Sequence, residues 1–338
     1  MRPQRRTLCA LTMLLALELA QGRLAGVAAA APALSAESCS VEGLLADIRK
    51  GLGSRSEAYR RYLRNLLRES APTLPAAALR LAFARETHPV VAEQLAAALI
   101  ARSERGADSS GLRTVAERLL SEPDPALRAA VVRAMRRTSA AESTGDLYEK
   151  LVHDAAPEVR REAATNLVED NRFVYFGHHG PATDAAVMAA ASAASSDPQV
   201  TAQILGNIST EAAGPGAAEA MRKLLRSDQV EVRSAAAVAL GGVPASESAS
   251  ARQSLIDLYR DESDPRVRRA LLQGIAQLGF AGAIPDLVQL REVDPGLSRE
   301  IDAWVQTLRK GLPSWELILR EKQRLDELNA QPASQSGR

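Results

Sequence analysis

A three-residue column recurs seven times along this chain, and few folds accommodate it. Apolar side chains fall at Val91, Leu127, Val159, Val200, Val232, Val267 and Leu297, at intervals of 36, 32, 41, 32, 35 and 30 residues. Four places after each stand Leu95, Val131, Ala163, Ile204, Ala236, Leu271 and Ile301; eight places after stand Leu99, Met135, Leu167, Ile208, Leu240, Ile275 and Val305. Steps of four and four draw one stripe along a helix of about 3.6 residues per turn. Two places before the first column are Pro89, Pro125, Pro157, Pro198, Val230, Pro265 and Pro295, and Asp124, Asp197, Asp264 and Asp294 precede four of those prolines. Aspartate at an N-cap accepts from free first-turn N–H groups, and proline at the next place supplies the right φ without losing a needed donor.

Upstream of these helices lie further apolar-periodic segments, such as "GLRTVAERLLSE" (111–122), "GAAEAMRKLLRSD" (216–228) and "AIPDLVQLREVD" (283–294), each a short turn away. The unit is an antiparallel helix pair, and one pair cannot bury its apolar face alone. Stacked pairs can, so the pattern predicts an all-α solenoid. Composition agrees: 46% of the residues are hydrophobic but only 3% are aromatic, and a core of alanine and leucine suits close-packed helices.

The segments "DPALRAAVVRAM" (124–135), "APEVRREAATNL" (156–167), "VEVRSAAAVALG" (230–241) and "DPRVRRALLQGIAQLG" (264–279) resemble HEAT repeats, particularly the short bacterial kind also found in phycobilisome bilin lyases. The resemblance spans roughly residues 73 to 309. It implies an α-α superhelix of about seven to eight helix pairs, with second helices lining the concave side. It also implies that Arg128, Arg160, Arg233 and Arg268, one place after the first column, bond to an acid in the preceding turn and form a structural ladder between repeats. Ala92, Thr201 and Ser298 replace that arginine in three copies, which predicts a broken ladder there.

At the ends, 40–50 and 54–69 read as helices, the second opened by a Ser54-x-x-Glu57 capping box. The solenoid is expected over 40–310. Residues 311–330, with Trp315, Ile318, Leu319, Leu325 and Leu328 on one face, predict a C-terminal capping helix, and 331–338 a disordered tail. Residues 1–30 read as a secretory signal: Arg2, Arg5 and Arg6 precede an apolar run from Leu8 to Leu19, followed by small residues that place cleavage between 22 and 36. Glu18 and the shortness of the run argue against a retained membrane anchor, so no transmembrane segment is expected after cleavage. The context of Cys39 argues against lipidation. Export to a periplasm or beyond follows as the expectation. Cys9 leaves with the signal, and a lone Cys39 forms no internal disulfide, so packing must hold the fold. Of the net charge of +1, residues 1–30 carry +3, leaving −2 on the remainder. Such a chain lacks the basic excess that nucleic-acid binding draws on.

The interval of 41 residues marks an insertion, "NRFVYFGHHGPATD" (171–184), carrying Phe173, Tyr175, Phe176, His178 and His179. These five are the candidate partner-binding residues, weighed against aromatics that merely plug a widened groove between repeats. His153, Asp154, His178 and His179 are weak metal candidates, because adjacent histidines do not readily turn to one ion in regular structure. HEAT-repeat deoxyhypusine hydroxylases use His-Glu motifs, and no His-Glu dipeptide occurs here. No catalytic set and no cofactor-binding motif is apparent. Export would also separate the chain from cytoplasmic pigment chemistry, so lyase activity is not expected. Arg133, Arg136, Arg137, Arg160 and Arg161 are diluted by Glu158, Glu162 and Glu169 into a mixed-charge face. The expectation is a non-catalytic scaffold that binds another protein. The alternatives are a metal-binding or lyase-like site at 171–184 and a structural element that self-associates through its ends, at Trp315 and Ile318.

Overall fold

The expected helix starts form where aspartate precedes proline. Asp124 accepts from Ala126 N at 2.8 Å, Asp197 from Val200 N at 3.1 Å and Asp264 from Arg266 N at 2.8 Å. Asp294 instead caps a short 3-10 turn, Pro295–Leu297, accepting from Gly296 N and Leu297 N. The structure is a computed structural model that describes residues 40–107, 110–136, 145–175 and 180–311. The segment read as a signal, Cys39, Arg137, Phe176, His178, His179, the residues 312–338 that include Trp315 and Ile318, and the side chains of Phe173 and Tyr175 lie outside the described residues. Among the described residues the regular structure is helical, with no strand.

The chain divides into two units at Glu122/Pro123. The first contains α1 (Val41–Leu52), α2 (Glu57–Ser70), α3 (Ala76–Arg85), α4 (Pro89–Glu104) and α5 (Gly111–Ser121). Helix α4 packs against α2, α3 and α5, burying Val91, Leu95 and Leu99 with Phe83, Val115 and Leu119. Arg118 lies over the Phe83 ring, 4.6 Å from its centre, adding a cation–π contact to this core. The capping box expected at Ser54 does not form. Ser56 caps α2, accepting from Tyr59 N at 3.3 Å, while the Ser54 hydroxyl, two residues too early to cap, accepts from Ser56 N.

The second unit contains α6 (Pro125–Ala134), α7 (Gly145–Leu151), α8 (Pro157–Tyr175), α9 (Gly180–Ala193), α10 (Pro198–Leu205), α11 (Pro215–Leu224), α12 (Val230–Leu240), α13 (Ala245–Asp261), α14 (Pro265–Gly279), α15 (Ile284–Val293) and α16 (Ser298–Lys310). Helices α6, α8, α10, α12 and α14 pack each on the next as one layer, and α7, α9, α11 and α13 as the other. All three apolar columns are buried between the layers except at Ile208. That exception has a local cause: α10 ends at Leu205, three residues short of the third column. Small residues allow a close approach between α12 and α14. A Cβ on Gly274 would stand 2.5 Å from the Ala237 carbonyl oxygen, so only glycine fits.

The stretch Pro265–Val293 is long and apolar enough to cross a membrane. Here it is interrupted by the 3-10 turn Phe280–Ala283, and Val267, Leu271, Ile275, Leu287 and Leu290 are buried in the protein.

Candidate binding groove

Each ladder arginine bridges two turns. Arg128 donates to Pro123 O in its own preceding turn and to both oxygens of Asp154, at 2.9 and 2.7 Å, in the next repeat. Arg160 donates to Asp154 O and to Asp197 Oδ2 at 2.6 Å; Arg233 to Ser227 O and to Glu262 at 2.7 and 3.2 Å; Arg268 to Glu262 O and to Asp294 at 3.1 Å. The resemblance placed the acid in the preceding turn. It lies one repeat further on, and the preceding turn supplies carbonyls instead, the acceptors left free where one helix ends and the next begins. Each acid also holds its own turn: Asp154 accepts from Ala156 N, and Glu262 from Ser263 N and Asp264 N. Burial raises the carboxyl pKa of Asp154, Asp197 and Glu262, but the arginine bonds and turn N–H groups more than reverse it, holding all three below the ordinary carboxylate range. At Asp294 burial is likewise overcome, chiefly by the Tyr259 hydroxyl at 2.8 Å.

At Thr201 the ladder is interrupted. This side chain is buried and donates to Ala190 O at 2.8 Å. At Ala92 there is likewise no arginine, and Glu122 is held by Arg118 of its own helix. A rung outside the repeat register joins Arg49 of α1 to the buried Glu86, whose carboxylate also accepts from Thr87 N and His88 N. It sits at the chain's start, where the columns give no register to find it by.

The interrupted level also carries the groove. Three hollows follow one another across α8, α10, α12 and α14. The first, about 700 Å³, lies at the helix starts and is lined by Arg161, Gln199, Gln203, Gln229 and Glu231. The second, about 470 Å³, shares Glu231 with it and is floored by Gly206, Val230, Ala235 and Val238. The third, about 340 Å³, shares Gly206 and Val238 and reaches Gln277 and Phe280. Gly206, directly after the early end of α10, lies in the wall shared by the second and third hollows, and its lack of a side chain leaves that space open. Phe280, at the far end, has φ of +45°, a strained backbone for a bulky residue and the kind found beside ligand sites.

The expected binding loop is largely helical. Residues 171–175 complete α8 and 180–184 begin α9, leaving 176–179 between them. Asn171 is buried and clamps this junction: its amide donates to Thr183 Oγ1 at 3.0 Å and Ser209 O at 2.9 Å, while its oxygen accepts from Ser209 N at 2.7 Å. Phe173 and Tyr175 stand on the last turn of α8. His153 and Asp154 turn to different partners: both ring nitrogens of His153 meet hydroxyls, of Ser192 and Ser196, and Asp154 is engaged by Arg128. Among the described residues no three His, Cys, Asp or Glu side chains gather as a metal site. Arg133 and Arg136 converge on Glu162, at 3.1 and 2.9 Å, and Arg136 also donates to the buried Asn166. The exposed amides of the groove were not singled out from the sequence, because isolated glutamines carry no spacing signal. The absence of charge from Pro198 to Asn207 was the one available hint.

Comparison with known proteins places this construction. Residues 185–276 match the family model described as HEAT repeats. No curated protein matches the chain. Solved structures similar to it include an engineered protein at 20% identity, covering 72% of this chain and 70% of that one with a TM-score of 0.38. They also include YibA of Escherichia coli at 12% identity, covering 77% and 92% with a TM-score of 0.39. Human deoxyhypusine hydroxylase in complex with glycerol is similar at 17% identity, covering 80% and 96% with a TM-score of 0.27. With its buried columns, paired helices and matched segment together, the chain is an all-α protein of repeated helix pairs whose residues 185–276 match the HEAT-repeat family.

Proposed function

We propose that this chain is an exported, non-catalytic scaffold that binds a protein partner through the second-helix face of its second unit. The observation that carries the reading is the run of three adjoining hollows over α8, α10, α12 and α14. Repeat scaffolds bind through many modest contacts spread over such a face, so no compact catalytic signature is needed. The arginine ladder keeps that face in shape: its guanidinium groups are engaged with carboxylates and turn carbonyls, a structural duty that leaves them little capacity for chemistry. The arginines before the first apolar run support export.

The test is site-specific photo-crosslinking in the native cell envelope. A crosslinking residue at Gln203, Val238 or Gln277 should give a discrete adduct, while one at Met188, exposed on the first-helix layer, should not. Equal labelling from both faces, or none from the groove, would remove the assignment. The mass of the mature N-terminus checks export, and a start at Met1 would refute it.

A further inference from the structure

The lining of the groove is uneven in a way that points to one kind of occupant. Helix α10 and the two residues after it, from Pro198 to Asn207, contain no charged side chain, and amides at Gln199, Gln203, Gln229 and Gln277 line the hollows. An amide offers a donor and an acceptor together, as a peptide main chain does, and so fits a main chain whatever its sequence. A charge laid over α10 would lose water and meet amides rather than an opposite charge. The α8 edge differs. Arg161 is exposed and makes one hydrogen bond, from Nε to Pro157 O; Arg172, also exposed, makes one, from Nε to Asn207 O. Among the described residues neither has a carboxylate within ion-pair distance. On the α14 edge the cations are matched, Arg266 by Asp264 and Glu231, and Arg269 by Glu300. The α10 stretch of the groove is therefore uncharged, the charges lining the rest of it include the pairs Arg160–Asp197 and Glu231–Arg266, and spare positive charge stands on the α8 edge.

We propose that the occupant is an extended peptide segment, uncharged where it crosses α10 and bearing carboxylates where it reaches the α8 edge at Arg161 and Arg172. Four helices spaced by about 8–10 Å span roughly 25–30 Å, the length of about eight or nine extended residues. This rests on the second-helix face being the binding surface, and it adds the chemistry and the direction of the ligand.

The probe is an array of nine-residue peptides in three sets: neutral with an acidic end, neutral with a lysine end, and neutral throughout. Binding to the full mature chain is read by fluorescence anisotropy at low and high salt. The acidic-ended set should bind about five-fold more tightly than the lysine-ended set, the effect of two exposed ion pairs, and the gap should close at high salt. Arg161→Gln with Arg172→Gln should abolish the preference while leaving neutral peptides unaffected. Gln203→Ala with Gln277→Ala should weaken all three sets alike. Equal binding of lysine-ended peptides, or a preference that survives loss of both arginines, overturns the proposal. If no set binds although crosslinks form from the groove, the ligand chemistry is wrong and the surface stands; if crosslinks also fail, both fall.

Discussion

Replacing Glu262 with glutamine isolates the energetic role of one rung. The carboxylate has 4% of its side-chain surface exposed and takes four hydrogen bonds, two from Arg233 and two from the N–H groups of Ser263 and Asp264. Glutamine retains an oxygen for the two backbone donors but turns an NH2 toward the arginine. A hydrogen bond to a charged group contributes about 1.5–3 kcal/mol, and stranding a buried charge costs up to about 3–5 kcal/mol. Arg233 keeps its carbonyl acceptors at Ser227 and Asp228, which limits the loss, so Glu262→Gln should destabilise the second unit by about 2 kcal/mol. Repeat arrays do not unfold as a single two-state unit, so hydrogen exchange at the amides of α12 and α14 is the assay of choice, beside urea denaturation. Acid supplies a second readout. The Glu262 carboxyl is held below its unfolded value, so its contribution is present above about pH 4.3 and disappears as pH falls through the folded value. The gap between parent and variant should therefore shrink below about pH 4. A loss under about 0.5 kcal/mol, or a gap that does not respond to acid, would refute the claim that the rung acts through charge.

Three further outcomes follow from the same coordinates. Gly274→Ala, which in an exposed helix would be favourable, should cost about 2 kcal/mol in thermal or urea unfolding, because the new methyl meets Ala237 O and Leu255 Cδ1 at 2.5 and 2.9 Å. Ser234→Ala should raise stability by about 1 kcal/mol, since the Ser234 hydroxyl is sealed from water without a hydrogen-bond partner. With Asp154, Asp197, Glu262 and Asp294 all depressed, the parent's unfolding midpoint should hold steady from neutrality to about pH 5 and decline below it; a decline beginning near neutrality would contradict the ladder.

The helices were legible because their signals are local. The four-residue steps and the Asp-Pro starts lie within a dozen residues, and every column residue except Ile208 is buried where the periodicity placed it. The ladder arginines were legible as a column, but their carboxylates were not. Asp154 lies 26 residues beyond Arg128 and Asp197 37 beyond Arg160, and no spacing rule chooses between the acid behind and the acid ahead. The extra length before Val200 showed in the intervals, yet its fate did not: Asn171 is buried in a junction where α8 and α9 use most of it. The groove was hidden for a related reason. Two of its three hollows meet at Gly206, and a missing side chain leaves no motif.

The shared acids also decide where the number of repeats is free to change. Asp154 and Glu262 each complete the turn of one repeat while receiving an arginine from the repeat before. Excising a repeat at such a joint strips a cation of its anion and a helix start of its ordered turn at once. Between α10 and α12 no such pair is severed, because Thr201 answers only to Ala190 inside its own repeat. A helix pair gained or lost at that joint would break no arginine–carboxylate rung, and the hollows beside Gly206 would change with it.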